Sequence, residues 1–372
     1  MDRGAVVLIA AVSGRALAAS ARRGGFVPLV ADAFGDQDTL AAAAGHVRTD
    51  MLDRPVDGDR LMVALEALTN GREAAAIVCG SGFEDRADLL ARIGARWPLL
   101  GNDADTVARI KDPLTFAAIC RAADIPHPET LRTPPPDRTG WLVKRIGGAG
   151  GLHVREASDS KTEGEGVYFQ RSVRGEPVSA LVLGDGKRAM VLGFSAQWTA
   201  PSRRHPFRYG GAVRPAPISD GLTRDLTAAI ERISAAVPLV GVNSADFLVE
   251  GDAFHLLEIN PRPGATFDLF EREADSLFAL HVAACGGTFP AQAPKFEGAM
   301  AGAIVYAVRD IDSVPAFAWP DWAADLSVPG SRIGAEDPLC SVFAHADTAA
   351  AAKELVNQRV AQIHAMVGAA SP

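Results

Sequence analysis

Only four cysteines occur in the 372 residues, and Cys79, Cys120, Cys285 and Cys340 never approach a CxxC spacing. That excludes a cysteine-built zinc site and a disulfide framework, and it fits free thiols in a reducing compartment. The eight histidines form no HxxxH or HxH pair. No basic stripe or basic tail offsets the net charge of −8, so the footprint of a nucleic-acid binder is missing. The longest early apolar run, residues 5–12 (AVVLIAAV), is far too short to cross a membrane. No charged segment followed by a long apolar one marks a signal peptide. No GxGxxG follows the first apolar run, which counts against a dinucleotide fingerprint. The expectation is a cytoplasmic protein with neither nucleic acid nor membrane as a partner.

What is present is an ordinary globular composition, 48% hydrophobic and 22% charged, in a chain long enough for two or three domains. The first hundred residues alternate strands and helices. AVVLIAAV reads as a strand covered on both faces. SGRALAASARRGG reads as a helix with Ser13 as N-cap and a stop at Gly24 and Gly25. FVPLVAD is a second strand, residues 59–69 a helix, and AAIVCG a third strand, giving a parallel, Rossmann-like α/β unit. In KDPLTFAAICRAADIPHPET, Asp112 is placed as an N-cap with Pro113 at the first helical position, and Ile125-Pro126 ends the helix. Three prolines at 134–136 form a stiff linker. Beyond them WLVKRI, GLHVRE, VYFQRSV, PVSALVL and RAMVLGFSAQW read as strands of an α+β region, followed by a helix over 220–237. AGAIVYAV, PLCSVFA and a last helix over 348–367 form the C-terminal part.

HLLEINPRPG, residues 255–264, places Glu258 and Asn260 among residues suited to a buried strand. An ionised carboxylate buried alone is too costly, so these groups need a partner or a metal. SADFLVE precedes this strand, with Gly251-Asp252 as a hairpin signal. A three-residue loop over 250–252 brings Asp246, Glu258 and Asn260 to one face; a two-residue turn sends Asp246 to the other. Two carboxylates and an amide oxygen are hard ligands suited to Mg²⁺. Arg262 lies two residues further on, where it could neutralise a phosphoryl group.

WLVKRIGGAGGLHV sets Lys144 on a strand before Gly147, Gly148, Gly150 and Gly151. Such glycines let a backbone approach phosphate oxygens. Lys111 precedes the Pro113 helix. In YFQRSVRGEPVSALVL, Gln170 could read an adenine amino group, Val173 could offer its backbone to the adenine edge, and Glu176 could accept from ribose hydroxyls.

Taken in order, Lys111, Lys144 with GGAGG, QRSVRGE, Asp246 and ExNxR resemble the ATP-grasp superfamily over nearly the whole chain. The resemblance implies an N-terminal Rossmann-like domain (1–104), a two-part ATP-clamping region (105–290) and a small β-rich C-terminal extension (291–372). It implies ATP and Mg²⁺ as cofactors, with Mn²⁺ able to substitute, and phosphorylation of a carboxylate that an amine then attacks. Lys111 and Lys144 then grip the α- and β-phosphates, and the glycine loop covers the β- and γ-phosphates. Gln170, Val173 and Glu176 hold the nucleoside, and Asp246, Glu258 and Asn260 bind Mg²⁺. Arg262, Lys144 and Glu258 take part in the chemistry. Gln170 departs from the glutamate many members carry. SARRGGFVPLVADAFGDQDT, PFRYGGAVRP and PDWAADLSVPGS are similar to a subgroup linked to tetrahydromethanopterin or methylofuran biosynthesis in methylotrophic bacteria, whose archaeal relatives include an enzyme joining glutamate to tyramine. Small-molecule carboxylate and amine partners follow, and a homodimer is compatible with the pattern.

SRRHPFRYGG, residues 202–211, supplies Arg203, Arg208 and Tyr209 before Gly210 and Gly211, a candidate carboxylate fork on a loop able to close. Arg214 is a further candidate. SGFED, 81–85, lies where a parallel sheet places ligands. Two other classes compete with a ligase: a nucleotide-binding regulatory or scaffold protein without turnover, and a nicotinamide oxidoreductase, which the missing glycine fingerprint disfavours.

Overall fold

The computed structural model describes residues 1–52, 56–159, 164–272 and 275–370. The chain opens with β1 (Val6–Ala10), α1 (Arg15–Arg23), β2 (Val27–Asp32), α2 (Gln37–Ala42), β3 (Gly45–Arg48), α3 (Gly58–Thr69), β4 (Ala76–Cys79), α4 (Ala87–Arg96) and β5 (Leu99–Leu100). Its sheet is parallel, in the order β3-β2-β1-β4-β5. Four elements beyond those expected, α2, β3, α4 and β5, complete it; GHVR is too short and polar to stand out as a strand. The glycine stop of α1 is present, with the Gly24 N–H donating to the Ser20 carbonyl and the Gly25 N–H to that of Arg22. Its start differs from the sequence reading. Gly14 is the N-cap, its N–H donates to Asp32 Oδ2 at 3.0 Å, and Ser13 instead reaches Asp325. Asp32 on β2 thus does the work assigned to Ser13. Because the chain leaves β1 toward β2 and returns at β4, the loops after β1 and β4 diverge and open a crevice at the carboxyl ends of the strands.

Then come α5 (Ala104–Lys111), α6 (Pro113–Ala122), β6 (Thr130–Leu131), β7 (Trp141–Arg145), β8 (Arg155–Glu156) and β9 (Val167–Arg171). Asp112 caps α6 by accepting from the Thr115 N–H at 2.8 Å, with Pro113 in the first turn, as the sequence predicts. These strands form a sheet in the order β6-β9-β7-β8 around Trp141, Val143, Val167 and Phe169. Of GLHVRE only Arg155 and Glu156 pair as strand, because Gly147, Gly150 and Gly151 take positive φ (70°, 61° and 70°) and coil the chain first.

The largest sheet comprises β10 (Glu176–Asp185), β11 (Ala189–Thr199), β12 (Tyr209–Arg214), β13 (Val240–Glu250), β14 (Ala253–Asn260), β15 (Ala299–Tyr306), β16 (Ala323–Ala324) and β17 (Pro338–Ala346). Its order is β14-β13-β10-β11-β12-β15-β17-β16, and every neighbouring pair is antiparallel. The C-terminal strands therefore extend this sheet through the β12–β15 ladder. α7 (Asp220–Ala236) buries Leu222, Leu226, Ile230 and Ile233 against it. α8 (Leu277–Cys285) packs Phe278 on Phe26 of the first unit, and α9 (Ala349–Ala370) covers β15 and β17. Arg15 fastens three distant segments. It forms a two-pronged pair with Asp268 (2.7 Å on each oxygen) and a further bond to Asp325 at 3.0 Å. Among the described residues no helix is long and apolar enough to cross a membrane.

Candidate active site

The β13–β14 hairpin decides where the carboxylates point. Its turn is the two-residue form, Gly251-Asp252, since Glu250 pairs with Ala253 and Phe247 with Leu256. Of the two turns weighed above this is the one that, with a regular ladder, leaves Asp246 on the other face. The register shifts between Phe247 and Asp246, so that Asp246 pairs with Glu258 and Leu257 is the extra residue. A bulge of this kind re-aims the side chains beyond it. Ser244 pairs with Asn260 next along. Asp246, Glu258 and Asn260 meet through the bulge, not through the turn.

Once together, they bond as a row. Ser179 on β10 donates to Asp246 Oδ1 at 2.7 Å, and Asn260 Nδ2 donates to Asp246 Oδ2 at 2.9 Å. Lys111 Nζ donates to Asn260 Oδ1 at 2.9 Å and to Glu258 Oε2 at 3.1 Å. The Lys111 ammonium thus bridges Asn260 and Glu258 while lining the adjoining cleft. Burial and the neighbouring Glu258 push the Asp246 carboxyl upward. Burial acts the same way on Glu258, but the Lys111 charge, aided by Lys144, outweighs it and holds that carboxyl low. Among the described residues no group of three or more His, Cys, Asp and Glu side chains could hold a metal. Two carboxylates and an amide oxygen nevertheless suit Mg²⁺, which completes its shell with water and phosphate oxygens.

Lys111 and Glu258 of this row line a cleft with Gly147, Gly148, His153 and Gln170. Lys144 Nζ donates to Gln170 Oε1 at 2.7 Å, and the Gln170 amide nitrogen faces His127 and Thr130. Burial lowers the Lys144 pKa although Glu258 and Asp246 oppose it. Gln170 is thus bonded to the lysine across β7 and β9, before the linker that carries Val173 and leads to Glu176 at the start of β10. That linker is partly exposed, and Gly175 passes so close that a Cβ would lie 2.8 Å from Val249 backbone atoms.

The glycine loop is shaped by close approach on several sides. A Cβ on Gly147 would lie 2.4 Å from Asp85 Cβ, one on Gly148 2.1 Å from the His153 ring, and one on Gly151 1.9 Å from the Phe207 carbonyl oxygen. The Tyr209 N–H donates to Gly150 O at 2.9 Å. Among the described residues no main-chain acceptor takes the N–H groups of Gly147, Ala149, Gly150 and Gly151. His153 was not singled out in the sequence; burial lowers its pKa to about 4.

The expected substrate fork is redistributed. Arg203 is exposed. Arg208 is buried, donates to the carbonyls of Ala200 and Glu336 at 2.9 Å each, and stacks 3.6 Å from the Tyr306 ring centroid. Arg214 is buried and bonded to the carbonyls of Leu269, Glu297 and Gly298. Both guanidiniums are committed to main-chain oxygens that approach from distant segments, which corrects their placement as an open carboxylate fork. Gly210 and Gly211 belong to β12, where Gly211 lies against Gly302 O and the Trp198 ring; they serve strand packing, not loop closure. Tyr209 is half-buried, its carbonyl accepting from the Tyr306 hydroxyl at 2.8 Å. Arg262 pairs with Glu84, a buried acid of SGFED that sequence reasoning flagged only as part of a segment.

These features define an ATP-grasp fold. Residues 111–266 match the family described as the ATP-grasp domain. The large chain of carbamoyl phosphate synthase from Deinococcus radiodurans is 26% identical over 205 residues, covering 48% of this chain and 20% of the synthase. The chain thus spans about a fifth of that relative's length. Among solved structures, the biotin carboxylase domain of 2-oxoglutarate carboxylase from Hydrogenobacter thermophilus, in complex with MgADP, ADP and bicarbonate, superposes with a TM-score of 0.73 at 14% identity, covering 94% of this chain and 87% of that one. N5-carboxyaminoimidazole ribonucleotide synthetase from Thermus thermophilus gives 0.69 at 19% identity, with 94% and 96% covered. The Kluyveromyces lactis urea amidolyase gives 0.67 at 18%, but this chain covers only 20% of its length.

Proposed function

We propose that the protein is an ADP-forming ATP-grasp ligase that joins a small-molecule carboxylate to an amine, using ATP and Mg²⁺, with Mn²⁺ able to substitute. The observation that carries the reading is the bonded row Asp246–Asn260–Lys111–Glu258, whose Lys111 and Glu258 line one cleft together with Gly147 and Gly148 of the glycine loop and Gln170, the acceptor of Lys144. Asp246, Glu258 and Asn260 would hold Mg²⁺, which supplies charge neutralisation at the β- and γ-phosphates. Lys144 and the glycine-loop N–H groups grip the phosphates. Val173, Glu176 and Gln170 lie toward the nucleoside end; for Gln170 the role passes through its bond to Lys144. Arg262 stabilises the phosphoryl group in flight. An oxygen of the carboxylate attacks the γ-phosphorus, the bond to the β–γ bridging oxygen breaks, and ADP leaves. The amine then attacks the acyl carbon, loses a proton and expels phosphate.

The finer reading is a step of methylofuran or tetrahydromethanopterin biosynthesis in the cytoplasm, with glutamate as the acid and a tyrosine- or tyramine-like amine, supported by the phrase-level similarity of three segments. Division of the chain at 104 and 290, a homodimeric state, and substrate contact by Arg203 and Tyr209 belong to the same proposal. The test is ADP release from Mg·ATP with glutamate and tyramine, alongside a panel of other acids with hydroxylamine as nucleophile. Acid-dependent ADP and a hydroxamate support the ligase. Tight nucleotide binding with no acid-dependent ADP favours a scaffold that kept the fold.

A further inference from the structure

The turn after β4 touches both halves of the nucleotide cleft. Glu84 is only 4% exposed, and its Oε2 accepts from the Gly82 N–H at 2.8 Å while Oε1 accepts from Arg262 Nε. Arg262 also donates through Nη1 to the Pro263 carbonyl at 3.1 Å. The guanidinium has five N–H donors in a rigid fork, so these bonds fix its plane and leave the rest for a ligand. Asp85, the next residue, packs on Gly147 so closely that a Cβ there would lie 2.8 Å from the Asp85 nitrogen. Successive residues of one turn therefore abut the arginine and the first glycine of the phosphate loop. The Arg262 and Lys111 charges keep Glu84 ionised despite its burial. Removing one member of such a buried pair leaves the other charge uncompensated, so the carboxylate and the guanidinium hold each other in place.

We propose that Glu84 is a positioning residue that sets the aim of Arg262 toward the transferring phosphoryl group, and that its turn fixes the arginine's distance from the glycine loop. This rests on the ligase reading above. Without the Glu84 charge, the guanidinium rotates to other acceptors, and a misplacement of about 1 Å costs on the order of 10²-fold in rate.

The experiment compares wild type with Glu84→Gln and Glu84→Ala in three measurements. The first is calorimetric affinity for β,γ-imido-ATP with Mg²⁺. The second is kcat for acid-dependent ADP release, with whichever acid of the panel serves wild type best. The third is the ¹⁵N–¹H resonance of Arg262 Nε, identified by its loss in Arg262→Lys. We expect nucleotide affinity within about twofold of wild type, kcat lower by roughly 10²-fold, and an exchange-protected Nε–H seen only in wild type. Glu84→Gln, nearly isosteric, carries the test if the alanine variant does not fold. An unchanged kcat in Glu84→Gln overturns the proposal, as does a protected Nε–H that persists in it. If wild type releases no ADP with any acid, the ligase reading fails, and a protected Nε–H missing in wild type then overturns the positioning claim on its own.

Discussion

Asp246 faces Glu258 across the β13–β14 ladder only because Leu257 is bulged out of register. The two carboxylates lie within one hydrogen-bonded row with Asn260 and Lys111, so the charge at Glu258 sets the state of the whole row. Glu258→Gln keeps the shape and removes that charge. We expect a folded protein with ADP release reduced by at least about 10³-fold, the scale on which losing a preorganised electrostatic group falls. Near wild-type turnover with Mg²⁺ would show that this row does not hold the metal.

Lys144 is half-buried and bonded to Gln170 Oε1, with the acidic row as its distant counter-charge. In Lys144→Ala one ammonium contact to phosphate disappears, and Gln170 is left with an unpaired oxygen. Nucleotide affinity should fall by about tenfold, equivalent to the ~1.4 kcal/mol that a charged hydrogen bond contributes. Calorimetry showing equal affinity would remove Lys144 from the phosphate site.

How much of this was legible beforehand depends on how far apart the partners lie. Helix caps are local, so Asp112 was readable from KDPLT; Ser13 was not, because the acceptor that replaced it, Asp32, sits 18 residues away on β2. The acidic row was readable from its motif, yet the bulge was not, since Leu257 is as apolar as its neighbours. The arginines show the limit. An arginine before glycines reads equally well as a ligand fork or as a fastener of carbonyls, and only the return of Glu336, 128 residues later, assigns Arg208 to the second role. Glu84 and Arg262, 178 residues apart, meet only in the folded chain.

That reassignment has its own consequence. Arg208→Ala would strand two carbonyls and lose the stack on Tyr306, costing about 1–3 kcal/mol of stability. Nucleotide affinity at 25 °C should be unchanged. A wild-type melting temperature with a raised KM for the acid would return Arg208 to the substrate site.

Asp36, 7% exposed, sits among Asp325, Asp38 and Asp32 beside Arg15; burial and then these charges raise its pKa from 3.8 to about 8. A carboxyl raised on folding binds more protons folded than unfolded between those values. Its stabilising contribution is therefore full below about pH 4 and declines as pH rises toward 8. Asp36→Asn removes the decline, so the variant's melting temperature relative to wild type should climb between pH 5 and pH 8. A constant difference across that range would mean that Asp36 is ionised throughout.

The glycine loop should report nucleotide directly. Among the described residues the N–H groups of Gly147, Ala149, Gly150 and Gly151 have no main-chain acceptor, while Tyr209 N–H holds Gly150 O from the other side. One edge of the loop is therefore anchored and the other presents donors, the arrangement that suits phosphate oxygens. Amides without a partner exchange fast, and those that gain one exchange slowly. Hydrogen exchange in a peptide spanning 146–152 should slow by at least about tenfold on adding β,γ-imido-ATP with Mg²⁺, the protection that a stabilisation of ~1.4 kcal/mol confers. ADP with Mg²⁺ should protect the loop less, because its γ-phosphate is missing. Since β7 leads into the loop and Gly147 abuts Asp85, protection should extend to the 82–85 turn but not to α9, which lies on the far strands β15 and β17. Equal protection with ADP would place the loop over the α- and β-phosphates, and no protection at all would remove it from the nucleotide site.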